Sequence, residues 1–181
     1  MNRLKKFTSL IVMLLKFTLF FLLFAIFFLL FGINNAWLLH VSRTAAVTMF
    51  TFVVLGLASM SIFGGYSIGI NKSKPIISSL SLATFFTDAI TYVQLCIMNT
   101  NSANNQTFKL EDLDILLIVY VLQLIMIIAL TYFGNHVFFT INSPEKCCVI
   151  TTSKYALNSV VPKILKYKKQ YNITDMILFT S

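Results

Sequence analysis

Asp88 lies in the run Thr84-Phe85-Phe86-Thr87-Asp88-Ala89-Ile90-Thr91-Tyr92, inside a stretch apolar enough to cross a bilayer. An ionisable side chain there is costly and points to a function or to a specific partner. At 3.6 residues per turn, Ser81, Thr84, Asp88, Thr91 and Tyr92 fall within an arc of roughly 100°. One polar stripe should therefore face other helices and not lipid. Lys16 is the second ionisable group inside a span. By residue count Lys16 and Asp88 lie at comparable depths on helices running the same way, roughly 6–9 Å apart, which a lysine stem largely spans. The expected arrangement is an intramembrane structural pair of Lys16 and Asp88. The plainer reading of Lys16 is a stem that snorkels to the near surface. With Gln94 and Gln123 added, the set is still sparse. A transport route distributes several charges over its spans, so a carrier or channel is disfavoured.

Other residues with chemical potential lead to plainer readings. Glu111, Asp112 and Asp114 form the one acidic cluster. They suit a solvated link and a helix start, where carboxylates favour the N-terminus, better than a metal site. Cys96, Cys147 and Cys148 have no metal-ligand spacing and read as reduced thiols acting as small hydrophobes. His40 and His136 sit near interfaces without ligand partners in sequence. The triplets at Asn105 and Asn172 match glycosylation sequons, a pattern common by chance. There is no P-loop, no H-E-x-x-H, no G-x-S-x-G and no carboxylate pair beside a base. No catalytic, cofactor-binding or metal-binding residue is assigned.

Four long apolar stretches must position these groups. Between Leu10 and Phe31 only Lys16 and Thr18 are not apolar, and about 20 helical residues cross the roughly 30 Å hydrocarbon core. The expected fold is an all-α membrane bundle over residues 1–140, with spans at about 9–32, 43–64, 76–98 and 115–139. The chain is 57% hydrophobic and 11% charged, against about 25% charged in soluble domains. The first span exceeds the usual apolar core of a signal peptide and is read as retained. Ser61, Gly65 and Gly69 recur at four-residue spacing, but Gly64-Gly65 falls where the second helix should end, so a turn is the expected use.

Lysine and arginine set the direction. Arg3, Lys5, Lys6, Lys72, Lys74 and six lysines after residue 139 lie on one side, against Arg43 and Lys109 on the other. Because basic residues stay cytoplasmic, both termini are expected inside. The net charge of +8 then belongs to a membrane surface and not to nucleic acid.

After Pro144 the composition changes. Lys146–Thr152 reads as a strand. A helix from Ser153 to Lys169 follows, interrupted by Pro162, and Tyr171–Thr180 reads as a second strand. Residues 141–181 are thus expected to be the β-α-β start of a truncated cytoplasmic Rossmann-like α/β domain. The turn Thr151-Thr152-Ser153-Lys154 lacks the glycines of a dinucleotide-binding fingerprint.

The stretch from Ile62 to Met98 (IFGGYSIGINKSKPIISSLSLATFFTDAITYVQLCIM) resembles the second and third membrane helices of bacterial polyprenyl glycosylphosphotransferases. Its GGYSIG turn, Ser-rich helix start and AITYVQLCIM end carry the likeness. The fourth helix, running into His136-Val137-Phe138-Phe139 and then Asn142-Ser143-Pro144-Glu145-Lys146, is similar too. The resemblance implies the membrane-anchoring N-terminal part of a sugar transferase of the bacterial cytoplasmic membrane. Such an enzyme moves a sugar-1-phosphate from a UDP-sugar to undecaprenyl phosphate, with Mg2+, to start exopolysaccharide or capsule synthesis. Its catalytic domain has no counterpart in these residues, so the chain alone is expected to be inert. The implied partners are the lipid bilayer, undecaprenyl phosphate and a second copy of the chain. The alternative is a non-catalytic membrane scaffold or interaction protein.

Overall fold

The computed structural model describes residues 2–64, 67–68, 72–102, 110–142, 145–151, 154–165 and 171–178. The elements, in chain order, are α1 (Asn2–Asn34), α2 (Ala36–Leu39), α3 (Arg43–Ile62), α4 (Ser73–Ser102), α5 (Leu113–Ile141), β1 (Glu145–Thr151), α6 (Lys154–Leu165) and β2 (Tyr171–Leu178). They fall into two compact units, Met1–Asn135 and His136–Ser181.

Four helices are long and apolar enough to cross a membrane: Ser9–Asn34, Arg43–Ile62, Ser73–Asn99 and Leu113–Ile141. Each matches an expected span to within three residues. The short helix α2 was not expected in the first link. Ser42 joins it to α3: its hydroxyl accepts from the Ala45 N–H at 3.0 Å as an N-cap and donates to the Trp37 carbonyl at 2.6 Å. Gly64 closes α3 with φ +89°, a left-handed conformation that suits glycine and the turn expected there. Gly65 and Gly69 lie outside the described residues, as do both ends of the expected Ser153–Lys169 helix.

The first unit buries narrow stripes. On α1 these are Leu19, Leu23, Phe27 and Phe31, and on α3 Thr48, Phe52, Gly56 and Ser59. On α5 they are Val119, Gln123, Ile127, Thr131 and Asn135. The α1 and α5 stripes follow four-residue rows, the ridges by which helices interlock, and the α3 stripe does so up to Gly56, with a three-residue step to Ser59. Only 17% of the α1 and α5 spans is buried, against 44% of α4, so α4 is the central helix. The remaining faces carry exposed Phe, Leu, Ile and Val, as a lipid-facing surface requires. Phe52 of α3 lies between the α1 rings, with centroids 5.6 Å from Phe24 and 5.3 Å from Phe27. Such offset and tilted contacts are the favoured aromatic geometry.

Polar ties fix the register. Asn34 donates to Asp112 Oδ1 at 3.0 Å, and Gln123 donates to the Leu23 carbonyl at 3.0 Å. Both pairs obey one antiparallel register between α1 and α5. Asn35 donates to Asn99 at 3.0 Å, placing α1 and α4 parallel with residue n of α1 level with about n + 64 of α4.

The second unit is a β-α-β element. Strands β1 and β2 pair in parallel from Glu145↔Tyr171 to Thr151↔Leu178, with a register shift between Cys147 and Cys148. Parallel neighbours need a crossover connection, and α6 lies between them in sequence. Pro162 sits inside α6, where it removes one helical hydrogen bond. Ile150, Met176 and Ile177 of the sheet are exposed. Among the described residues the sheet has two strands.

A Cβ on Gly56 would lie 2.7 Å from Phe20 Cε2, so α1 and α3 meet there without room for a side chain. Gly56→Val should destabilise the bundle by about 1–3 kcal/mol. The check is thermal unfolding in detergent, with Gly64→Ala as the comparison, because open space surrounds Gly64 and only its φ opposes a side chain.

Candidate functional site

The expected polar stripe of α4 is present and faces inward: Thr84, Thr87, Asp88, Thr91 and Tyr92 are all buried, and Ser81 is half-buried. The stripe is tied to α5 and to the residues just before it. Ser81 Oγ meets Tyr120 Oη at 2.9 Å, and the Tyr92 hydroxyl donates to the Glu111 carbonyl at 2.6 Å. At the other end of α4, Asn135 donates to Ser73 Oγ at 2.7 Å.

The centre of this arrangement is Asp88, which is 2% exposed, against Gln123, which is fully buried. The Gln123 amide donates to the Leu23 carbonyl at 3.0 Å and to Asp88 Oδ1 at 3.3 Å. A single side chain thereby joins α1, α4 and α5 in the middle of their spans. Both amide hydrogens are used, which leaves Gln123 Oε1 and Asp88 Oδ2 without a partner. The hydroxyls of Thr84 and Thr91, one turn before and after Asp88, also lack one. Thr87 instead donates to the Ala83 carbonyl at 2.8 Å. Buried polar atoms without partners are uncommon, and each costs about 1–3 kcal/mol. Beside the group, between α1, α3 and α4, is a cavity of about 10 Å³ lined by Phe20, Leu23, Phe52, Ala83, Thr84 and Thr87 among others.

Lys16 and Asp88 are not brought together. Lys16 is exposed on α1, and the Asp88 carboxylate is met by Gln123. The reason is depth. In the register set by Asn35 and Asn99, Lys16 lies level with Leu80, eight residues short of Asp88, or about 12 Å along the helix. Residue counting from the span ends underestimated that gap, because α4 begins at Ser73 and continues to Ser102. Lys16 thus has the exposed position of a snorkelling side chain.

Gln123 is counted in the sequence among the polar residues of the spans but is not assigned there as the partner of Asp88, which the structure makes it. Its signal was present: Gln123, Thr131 and Asn135 are the polar members of a four-residue stripe on an otherwise apolar helix. The Leu23 carbonyl had no such signal, since every residue carries one. Asp112 takes a left-handed backbone, φ 60°, which aspartate tolerates better than most residues. Its side chain accepts from Asn34, so this acid serves the α1–α5 rim. His40 and His136 are both exposed. Among the described residues no three His, Cys, Asp or Glu side chains come together.

In comparison with known proteins, the chain matches no family model, no curated protein and no solved structure.

A double-mutant cycle tests the geometry. Asp88→Ala and Gln123→Leu should show a coupling of roughly 0.6–1.7 kcal/mol, the range for interhelical hydrogen bonds in membranes. Lys16→Met should change stability by less than about 0.5 kcal/mol and add to Asp88→Ala without coupling. Coupling of Lys16 to Asp88 in unfolding measurements would restore the ion pair.

Proposed function

We propose that the chain is the membrane-anchoring N-terminal part of a sugar transferase. The enzyme would move a sugar-1-phosphate from a UDP-sugar to undecaprenyl phosphate, the first step of exopolysaccharide or capsule synthesis. The observation that carries this reading is the order of elements: four apolar helices followed at once by a strand, a crossover helix and a parallel strand. A parallel pair is the opening unit of an α/β sheet and normally has both faces covered. The exposed Ile150, Met176 and Ile177 are what such a unit presents before further elements pack on it. The Ile62–Met98 resemblance supplies the chemical class.

The physical logic is one of location. A lipid-borne acceptor keeps its phosphate at the headgroup level, so a soluble-type domain that acts on it gains from being held at that surface. Lysines on one side would add attraction to anionic headgroups, at about 1 kcal/mol for each well-placed side chain. In this reading both termini face the bacterial cytoplasm. Mg2+ and the reacting carboxylates belong to a catalytic domain outside these 181 residues, and no residue of this chain is given a catalytic role.

Two measurements test it. Cys148 is exposed and Cys96 is buried, so a membrane-impermeant maleimide should label Cys148 in inverted vesicles and spare it in spheroplasts; the opposite pattern overturns the orientation. The second uses antibody against this chain to recover the native protein from its own membranes. The recovered material should transfer label from a UDP-sugar into solvent-extractable lipid when Mg2+ and undecaprenyl phosphate are supplied. Recovery of the protein without transfer over a panel of UDP-sugars would leave the scaffold reading in its place.

A further inference from the structure

Gln123 gives Asp88 one amide hydrogen, at 3.3 Å to Oδ1, and gives the other to the Leu23 carbonyl at 3.0 Å. That carbonyl accepts only from N–H, so it fixes which end of the amide is nitrogen and which is Oε1. Two atoms of the pair remain buried without a partner, Asp88 Oδ2 and Gln123 Oε1. Both are acceptors when the carboxyl is ionised. An ionised carboxylate with one hydrogen bond and 2% exposure is a costly state, because buried charges are paired or neutralised. None of the described basic side chains stands beside Asp88. On α1, Lys16 is exposed and lies about 12 Å away along the helix. Arg43 of α3, Lys74 of α4, and Asp114 and His136 of α5 are exposed near the ends of their helices. Tyr92, one turn on from Asp88, gives its hydroxyl to the Glu111 carbonyl at 2.6 Å.

We propose that Asp88 is a proton-binding site: its carboxyl is held as the neutral acid inside the bundle, and the Oδ2 proton is donated to Gln123 Oε1. One proton then supplies both missing partners. A carboxylic acid and a primary amide each carry a donor and an acceptor side by side. The amide N–H meets the acid carbonyl while the acid O–H meets the amide carbonyl. The only bond formed is Oδ2–H, with its proton drawn from water before the helices close. A proton needs neither a coordination shell nor a cavity, and it leaves no net charge at hydrocarbon depth, where an ionised group is expensive. Loss of the proton would leave a negative charge in the packed core with one hydrogen bond to hold it. The junction of α1, α4 and α5 therefore depends on the site being loaded. The inference is independent of the transferase reading, which concerns the second unit and the lipid surface.

The experiment uses the full chain in nanodiscs at neutral pH and reads the infrared carbonyl stretch of protonated carboxyl groups, which is separate from the carboxylate bands. Of the chain's six acidic residues only Asp88 lies in the middle of a span. The expected spectrum has one such band, shifted by carbon-13 labelling of the aspartate carboxyls and missing from Asp88→Asn. Gln123→Leu removes the amide and keeps the acid, so the band should persist there at higher frequency. No band in the wild type, or a band untouched by Asp88→Asn, overturns the proton site. An unmoved band in Gln123→Leu overturns Gln123 as its acceptor. Thermal unfolding gives a second readout. Asparagine carries a donor and an acceptor as the neutral acid does, so Asp88→Asn should unfold within about 2 °C of the wild type. Asp88→Leu, which has neither, should unfold at a lower temperature. An Asp88→Asn variant as impaired as Asp88→Leu would show that the negative charge itself is needed and overturns the proposal. If neither variant folds, the isotope label decides in the wild type: no labelled acid band overturns it as well.

Discussion

Within hydrocarbon a polar side chain finds its partner in the protein or goes without, and Asp88 places that demand at the centre of α4. Lipid tails are as apolar as leucine, so apolar stripes alone give helices little reason to choose one rotation over another. The carboxylate supplies the reason. It turns the Thr84, Thr87, Thr91 and Tyr92 face of α4 inward, which makes α4 the most enclosed span. It also fixes the rotation of α5, because Gln123 must point at it. Gln123 in turn reaches the Leu23 carbonyl and draws in α1. One aspartate thus orients three helices through one amide.

The remaining contacts follow from that choice. With α1 and α5 registered at Leu23 and Gln123, Asn34 arrives at Asp112 at the same spacing along both helices. Asn35 then meets Asn99, and Tyr92 reaches the Glu111 carbonyl. Ser73 and Asn135 close the opposite end of the α4–α5 pair. Each such bond is worth little by itself, about 0.6 kcal/mol on average in membranes. Their importance lies in spread: they tie α1, α4 and α5, and the residues at their ends, to one another at several depths. α3 is held differently, by close packing. Gly56 lets the Phe20 ring approach, and Phe52 fits among Phe24, Phe27 and Phe28.

The spans were legible in the sequence because length and hydropathy report directly on the bilayer, and the inward stripe of α4 because polar residues at helical spacing stand out against an apolar field. The β-α-β element was legible from β-branched runs around an amphipathic segment. What the sequence could not give was relative depth. Counting inward from span ends accumulates error at both helices, and Lys16 and Asp88 were brought too near by that error. The partner that Asp88 found instead, Gln123, is neutral, and a charge-based search looks past it. Its second contact is a backbone carbonyl, which carries no sequence mark. Helix α2, four residues long, and the irregularity at Cys147/Cys148 depend on local geometry that pattern reading does not resolve.

The surroundings of Asp88 bear on whether the bundle conducts or holds. A conducting path needs polar groups strung from one surface to the other, with room for water between them. The cavity beside Thr84 and Thr87 is the size of a single water, and Phe20, Leu23, Phe52 and Met60 are among its walls. Toward one end of α1, the rings of Phe27, Phe28 and Phe31 close over the core, and Phe31 packs on Tyr92 at 5.8 Å. Along α4 in the other direction Leu80 and Ile76 are buried. Buried polar groups therefore run along α4 from Thr84 to Tyr92, with apolar side chains packed beside them. A carboxylate used in this way stabilises one packing of the helices, in keeping with the anchoring role proposed above.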